Sequence, residues 1–136
     1  MLDDAASTCT TCGARGFYQQ TTVATGLVFN NNLIAITRAG GGESQGLYFD
    51  VAGTFTADYN NYYISGAGLN EIGHYNGTGY ATLPLWIAGV QNDSNSLALN
   101  PQFTSPINNN FSPSSSTLNN KGTPVGITDD INGQTR

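Results

Sequence analysis

No stretch of this 136-residue chain sustains an apolar repeat of 3.6 residues, and that constrains its fold more than any motif does. Short runs rich in β-branched and aromatic residues alternate with turn clusters instead. The runs are GFYQQTTVA (16–24), GLVFNNNLIAIT (26–37), GLYFDVAGTFTADYNNYYIS (46–65), ATLPLWIAGV (81–90) and SLALNPQFT (96–104). AGGGESQ (39–45), GAGLNEIGHYNGTG (66–79) and QNDSN (91–95) separate them. Only TLPLWIAGV reads as a short helix, with Thr82 as its cap and Pro84 in the first turn. The 17 Gly, 16 Asn, 16 Thr and 10 Ser make up over two fifths of the chain. All four types favour turns or strands over helix interiors. Seven tyrosines and six phenylalanines can supply a core. An all-β fold with many turns follows.

Two runs echo one another. GLVF (26–29) recurs as GLYF (46–49), and FNNNLIAI recurs loosely as DYNNYYIS. Imperfect self-similarity at a period of about 20–30 residues is the mark of a solenoid. With no helices between them, the strands would stack coil on coil. Such stacking gives Asn60 and Asn61 a reason to interrupt a tyrosine-rich run. Asparagine tolerates the left-handed conformation of a sharp corner, and its amide can bond the amide one coil away. A buried amide left unpaired costs roughly 1–3 kcal/mol, so Asn31 and Asn60, or their immediate neighbours, are the expected rungs of a structural ladder. The expected organisation is an irregular segment over 1–15, coils over 16–106 with a loop at 66–80, and a cap-like, truncated segment over 107–136.

The second half also carries an ordered set of short motifs. Asp58, Tyr59, Asn60 and Tyr62 form a D-Y-N-x-Y strand, followed by Trp86 in a short segment. Asp93 and Ser96 make a D-x-x-S turn, and Asn100, Pro101 and Phe103 an N-P-x-F strand. Leu118, Asn119 and Gly122 come next, then Asp130, Gly133 and Arg136 in a D-x-x-G-x-x-R tail. This order resembles the C-terminal portion of bacterial secreted right-handed parallel β-helix proteins, and its last block resembles their choice-of-anchor Q terminal domain. The resemblance spans about residues 26–136. Thr117 stands where that family usually has proline, and the chain stops at Arg136 where the family continues into a further strand. The resemblance implies a right-handed parallel β-helix of about four to five coils, a piece of a longer helix.

Charge and cysteine content narrow the partners. Net charge is −5, and Arg15, Arg38, Lys121 and Arg136 are dispersed. A nucleic-acid surface needs several convergent cations, so no nucleic-acid partner is expected. No run of about 20 apolar residues exists, so no membrane span is expected. The residues after Met1 do not read as a signal peptide, yet the Asn-, Thr- and Tyr-rich, Lys-poor balance suits a secreted or cell-surface protein whose signal lies upstream. Cys9 and Cys12 form a CxxC, read as a short local disulfide or two free thiols. A redox pair should open a helix after a strand, and a structural zinc site needs four ligands; neither pattern is evident.

Few residues suggest chemistry. His74, the single histidine, lies three residues from Glu71, and a general base needs such an orienting partner. Asp129 and Asp130 are adjacent carboxylates, but a glycosidase pair sits about 5–9.5 Å apart and this one falls in the tail turn. Arg38 is the one cation on a strand-like run that could serve a lyase. Asp93, in QNDSNS, is the calcium candidate, although calcium wants six to eight oxygens; no other cofactor is implied. Tyr62, Tyr63, Tyr75 and Tyr80, with His74, are the candidate carbohydrate-binding set, because outward aromatic rings offer stacking platforms. The expected function is an extracellular scaffold, structural or carbohydrate-binding, without its own catalytic site. Part of a polysaccharide lyase or glycoside hydrolase with its active site mostly upstream is the alternative. End-to-end self-association into a filament is a third reading, because strand edges invite pairing.

Overall fold

Four small sheets and one α-helix organise the chain. A computed structural model describes residues 2–4, 9–20, 25–126, 128, 129, 133 and 135. The strands are β1 (Leu2–Asp4), β2 (Ala14–Gln19), β3 (Leu27–Asn30), β4 (Leu33–Arg38), β5 (Ser44–Phe49), β6 (Phe55–Asp58), β7 (Asn61–Gly66), β8 (Asn70–Tyr75), β9 (Thr78–Tyr80), β10 (Phe103–Ser105) and β11 (Asn110–Pro113). Helix α1 (Leu83–Val90) lies between β9 and β10. The sheets run β1-β4-β7, β2-β5-β8-β9, β3-β6 and β10-β11. Pairing is parallel in the first and third, with Leu33 beside Asn61 and Leu27 beside Phe55. The second is mixed, because β9 runs antiparallel to β8. The fourth is antiparallel and irregular in register.

The expected right-handed parallel β-helix of four to five coils is therefore corrected. The strands divide among separate sheets of two to four strands, and these do not close into a continuous solenoid. Partner spacing is uneven: Ala14 pairs with Ser44, but Ser44 with the nearer Asn70. The GLVF segment also misses its expected echo, since β3 pairs with FTAD of β6 rather than with GLYF. Past β8 the chain turns into helix α1, and Pro101 and Pro113 lack the N–H that a strand ladder needs. Among the described residues, parallel pairing continues there only as a bridge between Asn61 and Leu97. The segment expected as a loop at 66–80 instead holds β8 and β9. Asn76 (φ 48°) and Gly77 (φ 80°) join them with both residues in the left-handed region, the signature of a tight type I′ hairpin.

Helix α1 starts after Thr82, which is extended at the cap but makes no side-chain capping bond, with Pro84 in the first turn. It ends on Gln91 at φ 55°, whose N–H donates to the Ile87 carbonyl. The helix matters because it delivers Trp86 and Leu83 to the core. Leu47, Phe49, Tyr62, Ile72, Leu83 and Trp86 form that core, with Phe17, Phe29, Ile34 and Phe55 packed against it. Phe55 stacks between Phe49 (4.5 Å between centroids) and Trp86 (5.8 Å). The Trp86 ring lies directly over Gly73, where any Cβ would collide with it.

Candidate functional site

Three groups of polar side chains stand out, and hydrogen-bond accounting separates them. The first centres on Asp93, which is 1% exposed. Its Oδ2 accepts from Trp86 Nε1 (2.7 Å), and its Oδ1 accepts from Ser96 Oγ (2.6 Å) and Asn60 Nδ2 (2.9 Å). The Tyr62 hydroxyl donates to both oxygens, 3.1 Å from each. Burial, then the neighbouring Asp93 carboxylate, push the Tyr62 phenol far above its ordinary pKa. Protein donors thus occupy both oxygens of the calcium candidate, and its role is to tie the helix-borne Trp86 to β7. Among the described residues no group of three or more His, Cys, Asp or Glu side chains is placed to hold a metal ion.

The second group lies along β2, β5 and β8. Register aligns Arg15 with Gln45 and Gln45 with Glu71, and likewise Tyr18 with Tyr48 and Tyr48 with His74. His74 stacks on Tyr48 at 4.5 Å, nearly parallel. The Arg15 guanidinium covers the Tyr48 and Tyr18 rings at 4.3 and 4.9 Å and approaches Glu43 at 3.7 Å. Gln45 Nε2 donates to Glu71 Oε2 at 3.1 Å, and the same oxygen meets His74 Nδ1 at 3.2 Å. This brings Glu71 and His74 together as an orienting pair would require. Glu71, however, is buried and lies tight against Gly79. The ring faces are spent on one another and on Arg15, although Arg15 Nε and Gln45 Oε1 are buried without a hydrogen-bond partner.

The third group is concave and retains free capacity. A cleft of about 160 Å³ lies between the corner residues Asn31, Asn32, Tyr59 and Asn60 and the segment 113–122. A second, of about 430 Å³, shares Tyr59 and is lined by Asn30, Asp58, Gln91 and Thr123. Asn60 explains the corner: its Oδ1 accepts from Asn32 N (2.9 Å) and Asn32 Nδ2 (3.1 Å), and its Nδ2 donates to Phe29 O (2.7 Å) and to Asp93. Asn31 exchanges two 2.8 Å bonds with the backbone of Thr123, Nδ2 donating to the carbonyl and Oδ1 accepting from the N–H. That clamp holds the far wall against the corner. Leu33, Leu97, Pro113 and Leu118 supply apolar surface.

Tyr59 sits at φ 56°. A bulky residue in the left-handed region is an outlier, costing roughly 1–2 kcal/mol. Such strain concentrates at functional sites. Among the described residues neither the Tyr59 hydroxyl nor the Lys121 ammonium has a hydrogen-bond or ion-pair partner, and both residues line the smaller cleft. Next to it, Asp58 is held between Tyr59 N (3.1 Å), Asn95 N (2.7 Å) and Asn95 Nδ2 (2.7 Å). Burial works to raise its pKa, but those bonds outweigh it and hold the carboxyl below its ordinary value.

No family model, no curated protein and no solved structure matches the chain.

Nothing in those comparisons identifies the chain as a choice-of-anchor domain, and the residues must speak for themselves. Of the candidate carbohydrate-binding set, Tyr62 is in the core. Tyr75 is half-buried, its hydroxyl donating to Gly53 O at 2.8 Å, and Tyr80 packs edge-on against Trp86. Tyr63 accepts from Asn100 Nδ2 at 3.2 Å, and His74 belongs to the column. None of the five lines the Tyr59 cleft. Asn31 and Asn60 do not bond each other; Asn60 bonds Asn32, the immediate neighbour of Asn31, because register places Asn61 beside Leu33. Cys9 and Cys12 are joined by a disulfide. Arg38 is buried with its Nη1 donating to the Cys12 and Glu43 carbonyls, so it is not placed as a base. Asp129 lies in a bridge with Thr135; Asp130 and Arg136 lie outside the described residues. Sequence reading missed Lys121 and the cleft role of Tyr59. For Tyr59, its place beside Asn60 in a corner was the available signal.

Proposed function

We propose that this chain is a secreted or cell-surface carbohydrate-binding module without a catalytic site of its own, and that saccharide enters the cleft beside Tyr59. The observation that carries this reading is the strained Tyr59, held at positive φ where asparagine would sit at lower cost and lining a concave site of amides and apolar side chains. Sugars present apolar ring faces and hydroxyl rims, and a tyrosine among leucines, prolines and amides complements both. The Cys9–Cys12 disulfide suits an oxidising, extracellular setting. Among the described residues no helix is long and apolar enough to cross a membrane.

A glycan array followed by titration calorimetry tests the reading. The intact protein is expected to retain a defined glycan subset, and Tyr59→Asn to weaken it at least about tenfold, the loss of one good aromatic contact at about 1.4 kcal/mol. An array without a single hit, or a Tyr59→Asn variant that binds as the parent does, would overturn it.

A further inference from the structure

The four cations of the chain have different fates. Arg15 covers two tyrosine rings and meets Glu43. Arg38 is buried and donates to carbonyls. Arg136 lies outside the described residues. Lys121 alone lines a cleft, exposed, with no ion pair among the described residues. The lining of that cleft contains no Asp or Glu, although the chain carries nine acids and a net charge of −5. Asp58 and Asp93 lie outside this lining, their carboxylates held by Asn95 and by the buried donors. Lys121 is also positioned: the Asn31–Thr123 clamp closes two residues away, and Gly122 admits it, since a Cβ there would lie 3.2 Å from Asn31 Oδ1.

A cleft whose lining carries one unpaired cation and no carboxylate favours a ligand of opposite charge. Resting on the carbohydrate-binding reading, we infer that the saccharide taken by this cleft is anionic, bearing a carboxylate or a sulfate ester that Lys121 neutralises while Tyr59 packs on the ring. The lysine acts as a point charge, which does not discriminate between the two anions. Because it is exposed, the preference weakens as salt shortens the Debye length.

The test titrates an oligogalacturonate, its fully methyl-esterified counterpart and a sulfated galactan oligomer against the intact protein, Lys121→Gln and Lys121→Arg. The parent is expected to prefer an anionic oligomer over the ester by about tenfold at low salt, as a hydrogen bond to a charged group supplies. Which anion wins names the group. Lys121→Gln should bring the preference within about twofold, and Lys121→Arg should keep most of it. Equal binding of all three oligomers, lost in Tyr59→Asn, would overturn the anionic inference and leave the carbohydrate reading standing. A preference that survives in Lys121→Gln overturns it too. Failure of these oligomers and of a whole glycan array overturns both.

Discussion

Replacing Asp93 by asparagine isolates what its charge does. The side chain is 1% exposed and serves four donors, with no cation beside it among the described residues. Asparagine preserves shape, and it tolerates the φ of 63° at this position as aspartate does. It keeps only one acceptor oxygen. If that oxygen stays on Ser96 and Asn60, the new NH₂ faces the Trp86 indole N–H, donor against donor, while the Tyr62 hydroxyl can rotate to accept. One charge-assisted bond is lost, worth roughly 1.5–3 kcal/mol, and the buried indole N–H is left unpaired for roughly 1–3 kcal/mol more. An amide costs less to bury than a carboxylate, which returns part of this. The net expectation is a loss of about 2–3 kcal/mol. Urea unfolding followed by fluorescence reads it directly, since Trp86 is the only tryptophan and is itself one of the donors. The midpoint should fall with an unchanged slope. A loss under about 0.5 kcal/mol would mean that the carboxylate is not what holds Trp86 and Tyr62 together, and the core account would fail.

Three further outcomes follow from the same contacts. Tyr59→Asn should stabilise the fold by about 1 kcal/mol by relieving the left-handed strain while it weakens glycan binding; a destabilised variant would show that Tyr59 is a packing residue. Asp58 has its carboxyl held below its ordinary pKa, so its contribution is present at neutral pH and is lost as pH falls through and below the usual carboxylate range. Asp58→Asn should therefore flatten the acid limb of a stability–pH curve, and an unchanged limb refutes the role of the Asn95 contacts. Gly73→Ala drives a methyl into the Trp86 ring and should cost about 2 kcal/mol or more, read as a lowered midpoint in the same urea titration; a neutral result would mean that the ring does not sit there.

Local chemistry was legible in the residues. The β-rich character, the short helix opened by Thr82 and Pro84, and the turn in which Ser96 closes on Asp93 all depend on neighbours a few positions apart. The demand of Asn60 for amide partners was readable too. Its partner was readable only to within a residue: register brings Asn32 to it and leaves Asn31 for Thr123. Alternation places side chains on faces only once a strand's partners are known, which is why Tyr62 and Tyr75 read as surface rings and prove to be packed or bonded inside.

By itself the sequence determined a turn-rich β chain with one helix, because propensity, capping and turn chemistry act over a few residues. Tertiary structure alone decided that the strands divide into separate sheets, that Asp93 is a buried acceptor, and that Lys121, Tyr59 and Asn31 line one cleft. Those outcomes join residues up to 92 positions apart, and pairing over such distances is settled by the competition of whole surfaces for burial, which no local pattern records.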